Sequence, residues 1–112
     1  MDELIEMIRD FDAARDWNQF HSPKNLAMAL SVEVAELVEI FQWMSEEEST
    51  QLSRDKRTRL MEEIGDIMIY LVNLSDKFGI NPITAAKKKL KLNELKYPSH
   101  ITRGSARKYS EY

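Results

Sequence analysis

Two pairs of acids, each inside an apolar helical stretch, constrain this chain more than any other feature of its sequence. Glu33 and Glu36 are three residues apart, and so are Glu63 and Asp66. Residues with this spacing lie on the same face of a helix, so the two members of each pair point in one direction. Burying four carboxylates in a small core is costly unless cations or protons compensate their charge. The sequence therefore predicts a cluster of acids around which the rest of the chain is arranged.

The distribution of glycine and proline predicts an all-α fold. The 112-residue chain contains three of each, and most of them separate long segments with helical periodicity. Ser22, Ser53 and Asn81 have the character of N-caps that begin helices. We expect a four-helix, bundle-like domain over residues 1–98, followed by an extended basic tail, residues 99–112, that belongs to the same domain. The predicted helices cover about residues 2–15, 23–44, 54–78 and 82–96.

Both acid pairs are predicted to lie on buried helix faces. At 100° per residue, Glu33 falls in the same sector as Leu26 and Ile40, and Glu63 shares a sector with Ile67. The helix over 23–44 is apolar nearly all round, so most of it should be buried. Glu39 points to a polar strip instead, and we interpret it as a solvated acid.

Composition excludes several classes of protein. The formal charge is −3, from 16 basic and 19 acidic residues, which argues against a nucleic-acid binder that relies on a basic surface. There is no cysteine, no secretory leader pattern, and no apolar run near the roughly 20 residues that a membrane span requires. We expect a soluble, cytoplasmic protein without a membrane partner. Between Lys87 and Lys108 the sequence has eight basic residues against one acid, which suits an anionic ligand or a solvated basic helix.

Four carboxylates from two helices are typical of a site for a hard cation such as Mg²⁺ or Mn²⁺. Magnesium commonly takes its remaining ligands from phosphate oxygens, so the cluster favours a phosphorylated substrate. Two alternatives remain open at this point. The acids could form ion pairs in a non-catalytic helical adaptor, or hold iron in a di-iron carboxylate bundle, although neither pair has the Glu-x-x-His pattern and both His21 and His100 lie outside the two helices.

Four segments of the sequence carry a family resemblance. They are Asp-Trp-Asn-Gln-Phe-His at 16–21, Glu-Val-Ala-Glu-Leu-Val-Glu-Ile-Phe-Gln-Trp at 33–43, Glu-Glu-Ile-Gly-Asp-Ile-Met-Ile-Tyr-Leu at 62–71, and Ser-Ala-Arg-Lys-Tyr at 105–109. The chain resembles the MazG-like all-α nucleoside triphosphate pyrophosphohydrolases, above all their small single-domain dCTP pyrophosphatase branch. The resemblance implies cleavage of a nucleoside triphosphate, dCTP or a related pyrimidine deoxynucleotide, to monophosphate and pyrophosphate. Such an enzyme cleans or balances the nucleotide pool.

The resemblance also implies the residues of the site. Glu33, Glu36, Glu63 and Asp66 would be the catalytic magnesium ligands, with Mn²⁺ as a possible substitute, and Glu62 would lie outside the ligand set. The implied substrate-binding residues are Trp17, Gln19, Phe20, His21, Trp43, Tyr70, Lys89, Asn93, Arg103, Arg107 and Lys108.

For these substrate-binding residues, simpler structural explanations stay open. The aromatic side chains could be core residues, His21 could cap a loop, and the cations could be solvated. Near Ile8 the related animal enzymes carry a polar pocket residue, so the base preference need not carry over. Because the long helices have two apolar sides, we also expect a homodimer or homotetramer.

Overall fold

The computed structural model describes residues 1–104, and the prediction of an all-α fold is confirmed over this range. Five helices, two 3₁₀ turns and no strand occur there. The turns are Trp17–Phe20 and Glu48–Thr50. The helices are α1 (Asp2–Ala14), α2 (Pro23–Phe41), α3 (Arg54–Asp76), α4 (Pro82–Lys96) and α5 (Ser99–Thr102). No sequence pattern indicated α5, which occupies the start of the segment predicted to be extended.

The three predicted N-caps begin the three helices that follow them. The hydroxyls of Ser22 and Ser53 accept hydrogen bonds from backbone amides three residues on, at 3.1 and 3.3 Å. The Asn81 side-chain oxygen accepts from two amides of the first turn of α4, at 2.9 and 3.3 Å. Pro23 and Pro82 occupy the first helical position, where a missing N–H costs nothing. Short-range chemistry therefore determines where α2, α3 and α4 begin.

The helices α2 and α3 form an antiparallel hairpin that supplies most of the packing within the chain. Glu33 lies beside Glu63, and one turn and a half further along α2 Glu39 pairs with Arg59 at 3.3 Å. The helix α1 packs against α3. The Arg9 guanidinium donates two hydrogen bonds to the Asp76 carboxylate, at 2.5 and 2.8 Å, and the two form an ion pair. This guanidinium lowers the pKa of the Asp76 carboxyl. The helix α4 contacts α3 only slightly.

The core of a single chain is small. Among the described residues, the buried apolar side chains are Ile8, Leu26, Ile40 and Val72, whereas twenty large apolar side chains are exposed. The expectation that most of α2 is buried is wrong for one chain, since Met28, Val32 and Val38 are 50 to 58% exposed. The radius of gyration is 17.6 Å, against about 13 Å for a compact domain of this size. The chain by itself leaves much apolar surface uncovered.

Within residues 1–104, none of the helices has both the length and the apolar character needed to span a bilayer.

Candidate metal and nucleotide site

Three glutamates from the α2–α3 hairpin converge on one point. Glu33 and Glu36 lie on adjacent turns of α2, and Glu63 faces them from α3. One carboxylate oxygen from each lies within 4.8 Å of the other two, and all three side chains are half-buried. The (i, i+3) spacing on α2 and the antiparallel register together produce this arrangement. The prediction that acids from the two helices meet is therefore correct for these three.

The buried oxygens of this glutamate cluster lack hydrogen-bond partners. Within the described part of the chain, Glu33 Oε2 and Glu63 Oε2 have no donor near them. The pKa of Glu33 is raised to about 7, mainly by burial. Hydrogen bonding of its protonated form with Glu63 and Glu36 raises this pKa further, and so does repulsion from the charges of Glu36 and Asp66. A buried carboxylate without a partner is unfavourable, and either a proton or a cation relieves that cost. The cluster thus fits a hard cation, because its donors are all carboxylate oxygens.

Asp66 occupies a different position from the other three expected ligands. Its side chain is exposed, and it does not belong to the group of oxygens within 4.8 Å of one another. It is nevertheless close enough for its charge to raise the pKa of both Glu33 and Tyr70. The structure therefore brings three of the four predicted ligands together and leaves Asp66 at the edge of the cluster.

The aromatic segment before α2 folds into a 3₁₀ turn next to α1. Asp16 adopts a left-handed conformation with φ 53°, which reverses the chain after α1. The Trp17 ring packs edge-on against Phe11, 5.4 Å between centroids, and stands 6.2 Å from the His21 ring. Gln19 donates to the Asp16 carbonyl and carboxylate, both at 3.0 Å, so it stabilises the turn itself.

A buried polar cluster lies behind this turn, and sequence reasoning did not find it. Asn73 Nδ2 donates to Asp12 Oδ2 at 2.7 Å, and His21 Nδ1 is 3.3 Å from the same oxygen. The sequence held one indication, because Asp12 follows the buried Ile8 by four residues and so lies on the apolar face of α1. Its partners could not be foreseen from that spacing.

Tyr70 connects this Asp12–Asn73–His21 cluster to the glutamate cluster. Burial raises the pKa of its phenol most, and the charges of Glu33, Asp66 and Asp12 raise it further. A single ring that experiences the charges of both groups must lie near each of them. The predicted placement of Tyr70 beside the ligands agrees with this.

The remaining predicted substrate-binding residues are not gathered at the clusters in a single chain. Trp43 is 89% exposed, and Phe20 is exposed on the 3₁₀ turn. On α4, Lys89 is exposed and Asn93 is half-buried, and Arg103 is exposed beyond α5. None of them forms a hydrogen bond, ion pair or ring contact with the glutamates among the residues that the structure describes. The last two predicted cations, Arg107 and Lys108, lie outside the described residues.

Fold and site together define an all-α protein whose two longest helices hold a carboxylate cluster suited to a divalent cation. Residues 28–112 match the model of the MazG-like family. The chain belongs to the MazG-like family, which confirms the family inferred from the acid motifs.

Curated relatives and a solved structure agree with this assignment. The chain is 40% identical to human dCTP pyrophosphatase 1 and 42% identical to the bovine protein of that name, in each case over 113 residues that span 99% of this chain. It covers 66% of the human protein's length and 67% of the bovine one's. A crystal structure of a pyrophosphatase from Archaeoglobus fulgidus superposes with a TM-score of 0.83 and 47% identity, over 88% of this chain and 92% of that one.

Proposed function

We propose that this protein is a Mg²⁺-dependent nucleoside triphosphate pyrophosphohydrolase that releases a monophosphate and pyrophosphate. The observation that carries the proposal is the pair of buried, partnerless oxygens on Glu33 and Glu63 beside Glu36. The relatives named dCTP pyrophosphatase support dCTP, or a related pyrimidine deoxynucleotide, as the substrate. We further propose that the enzyme acts in the cytoplasm, removing or balancing nucleotides of the pool.

The protein's own residues divide into a metal side and a nucleoside side. Glu33, Glu36, Glu63 and Asp66 would hold the metal, with Asp66 joining the three clustered glutamates from their edge. When bound, the metal supplies charge neutralisation on the phosphates and an acidified water as nucleophile. Burial of the glutamates keeps bulk water from competing for the same oxygens and strengthens their interactions with a cation.

The nucleoside side is formed by the turn before α2 and by α3. The Trp17 ring is partly exposed and offers a stacking surface, while His21 beside it and Tyr70 on α3 offer polar atoms. Gln19 and Phe20 would shape the turn that presents Trp17. For the phosphates we propose Lys89, Asn93, Arg103, Arg107 and Lys108, which would neutralise charge on the departing pyrophosphate, and we propose that Trp43 joins the pocket in the assembled protein.

The reaction itself is the direct test. Purified protein is incubated with Mg²⁺ and a panel of ordinary and modified nucleotides, and the products are separated. We expect monophosphate and pyrophosphate, with the highest kcat/KM for dCTP or a related pyrimidine deoxynucleotide. Release of diphosphate and phosphate would contradict the proposed bond, and the absence of products with the whole panel would reject the activity.

A matched pair of variants tests the site. Glu63→Gln removes one charge from the cluster at constant shape, and we expect turnover to fall by about a hundredfold or more. Glu62→Gln makes the same change at an exposed neighbour on α3 and should retain turnover. Circular dichroism checks that both variants fold. If the two variants were equally active, a non-catalytic adaptor would be the better explanation. Iron-dependent absorbance of the purified protein would instead favour the di-iron alternative.

We also propose that the protein works as a homodimer or homotetramer. The exposed apolar residues of α3 recur at a spacing of three and four, which forms a stripe along one side of the helix. This α3 stripe consists of Met61, Ile64, Met68 and Leu71. A stripe of this kind is characteristic of helices that pack on another helix, and a second copy of the chain is the partner that is always present.

A further inference from the structure

Among residues 1–104, Asp12 and Asn73 are the buried polar residues that the proposed reaction does not use directly, and both lie in the Asp12–Asn73–His21 cluster. Asp12 and Asn73 are only 4% and 6% exposed, and the His21 side chain is 16% exposed. The three residues come from α1, from α3 and from the segment that precedes α2. Buried polar groups that converge from three parts of a chain fix one another's orientation.

The surroundings of His21 Nδ1 favour one tautomer of the ring. His21 Nδ1 lies 3.3 Å from Asp12 Oδ2 and 3.4 Å from Asn73 Nδ2. If Nδ1 accepted a hydrogen bond from Asn73, its lone pair would also face the Asp12 carboxylate. A hydrogen on Nδ1 removes that repulsion and places a donor nitrogen 3.3 Å from an oxygen to which Asn73 also donates, which is the favourable arrangement. In the neutral ring Nε2 is then a hydrogen-bond acceptor.

This acceptor is available to a ligand. The two nitrogens flank Cε1 and their outward directions diverge widely, so Nε2 points away from Asp12. No hydrogen bond to Nε2 occurs among residues 1–104. Trp17 stands next to the same ring. The charges of Glu33, Asp66 and Asp12 all raise the pKa of the Tyr70 phenol, so this phenol is within electrostatic reach of both His21's partner Asp12 and the proposed metal site.

We propose that Asp12 and Asn73 are positioning residues that hold His21 with Nε2 as the acceptor for a hydrogen-bond donor of the nucleoside. The inference rests on the proposed function and adds two residues to it. Neither residue touches the substrate. Asp12 fixes the tautomer, and Asn73 fixes the Asp12 carboxylate by donating to it at 2.7 Å. The donor on the nucleoside is an N–H of the base or an O–H of the sugar.

The tautomer can be measured without any nucleotide. The chain has two histidines, and His100 is exposed and provides the reference for an unconstrained ring. Long-range proton–nitrogen NMR spectra at pH about 8.5, where imidazole is neutral, identify the protonated nitrogen of each ring. A His100→Gln variant assigns the peaks. We expect hydrogen on Nδ1 of His21 in the wild-type protein, and the same tautomer mixture in both rings would overturn the inference.

Variants then test what holds the ring. Asp12→Asn keeps the shape and removes the charge, and it should shift His21 towards the mixture seen for His100. Asp10→Asn makes the same change at an exposed position of α1 and should leave the His21 spectrum as in the wild type. Asn73→Ala is the second variant if Asp12→Asn does not fold, with the same expected direction. A His21 spectrum that neither variant alters would contradict the positioning by Asp12 and Asn73.

Kinetics with three nucleotides identify the donor. The substrates are dCTP, its 2-pyrimidinone analogue without the 4-amino group, and 2′,3′-dideoxy-CTP without the 3′-hydroxyl. We expect Asp12→Asn to raise KM for dCTP by about tenfold, with kcat much less affected, because a single hydrogen bond is misaligned. For the analogue that lacks the donor bound by His21, KM should be the same in the wild type and in Asp12→Asn. If this is the 2-pyrimidinone analogue, the donor is the amino group of the base, and if it is the dideoxy analogue, the donor is the sugar hydroxyl.

The outcomes distinguish the two proposals. If Asp12→Asn raised KM equally for all three nucleotides, or lowered only kcat, the inference would be overturned and the proposed pyrophosphohydrolase activity would stand. A wild-type protein that turns over no nucleotide would overturn the proposed function and the nucleoside half of the inference. The tautomer of His21 is decided by the NMR spectrum in either case.

Discussion

Two groups of buried acids in this protein differ in whether their oxygens have partners. Asp12 accepts from Asn73 and lies against His21, so its charge is satisfied within the chain. Glu33 and Glu63 each retain a buried oxygen without a donor. The first arrangement stabilises one orientation of its members, whereas the second remains unfavourable until a proton or a cation arrives. Acids of the same chemistry are thus proposed to position a side chain in one group and to bind a ligand in the other.

The pKa of Glu33 predicts a pH dependence of stability in the metal-free protein. Its ordinary value is 4.5 and burial raises it to about 7, so between these pH values the folded state holds a proton that the unfolded state has lost. The free energy of unfolding should therefore fall as pH rises from about 4.5 to about 7 and change little above that. Urea denaturation in EDTA measures it.

Two variants serve as comparisons for this pH dependence. Glu33→Gln should lack the decline, because its side chain does not ionise, while Glu39→Gln should keep it, because Glu39 is exposed and lies outside the glutamate cluster. If the curves of the wild type and of Glu33→Gln ran parallel across this window, Glu33 would titrate as an ordinary surface acid.

At the scale of the elements, the sequence predicted the helix starts more closely than the helix ends. Ser22, Ser53 and Asn81 each bond an amide two or three residues away, so the bonds form wherever the following residues become helical. The ends of α2 and α3 lie two to three residues before the predicted ones. The helix α2 stops at Phe41 rather than near residue 44, and α3 stops at Asp76, before Gly79 with φ 64° turns the chain.

The cap of α3 predicts a measurable loss of stability. Ser53→Ala removes the acceptor for an amide of the first turn and should lower the free energy of unfolding by about 1 kcal/mol. Ser53→Asp keeps an acceptor at that place and should restore most of it. Ser31→Ala is the matched control, since that hydroxyl only bonds back to a carbonyl within α2. Denaturation curves at one fixed protein concentration compare the three. An equal loss for Ser53→Ala and Ser31→Ala would exclude capping as the cause.

At the scale of the whole molecule, the single chain is open. Its radius of gyration exceeds that of a compact domain, α4 contacts α3 only slightly, and large apolar residues lie exposed on every long helix. Uncovered apolar area of this extent is typical of a subunit rather than of a monomer. Trp43 and Lys89 are exposed in one chain, and neither contacts the glutamates among residues 1–104. The open shape and the incomplete nucleotide side are both explained if the site is completed by assembly.

Assembly predicts a definite effect of charge in the α3 stripe. The double variant Ile64→Glu, Met68→Glu places two carboxylates where an apolar surface should be covered, and we expect it to dissociate to the 13.1 kDa monomer. Sedimentation equilibrium measures the mass, and the wild type should have a mass two or four times larger. Arg57→Glu, at an exposed polar position of α3, is the control and should remain assembled. A wild-type monomer would reject the oligomer.

The sequence by itself determined the four long helices and the helix face on which each pair of acids lies, because both depend on neighbours within about four residues. The caps at Ser22, Ser53 and Asn81, and the common face of Glu33 and Glu36, follow from such spacing, and the acid motifs also indicated the family. Only the tertiary structure decided which side chains meet across the fold. It excluded Asp66 from the glutamate cluster and joined Asn73 to Asp12, 61 residues away in the chain. The physical reason is that such contacts depend on how α1 and α2 pack on α3, which no local pattern encodes.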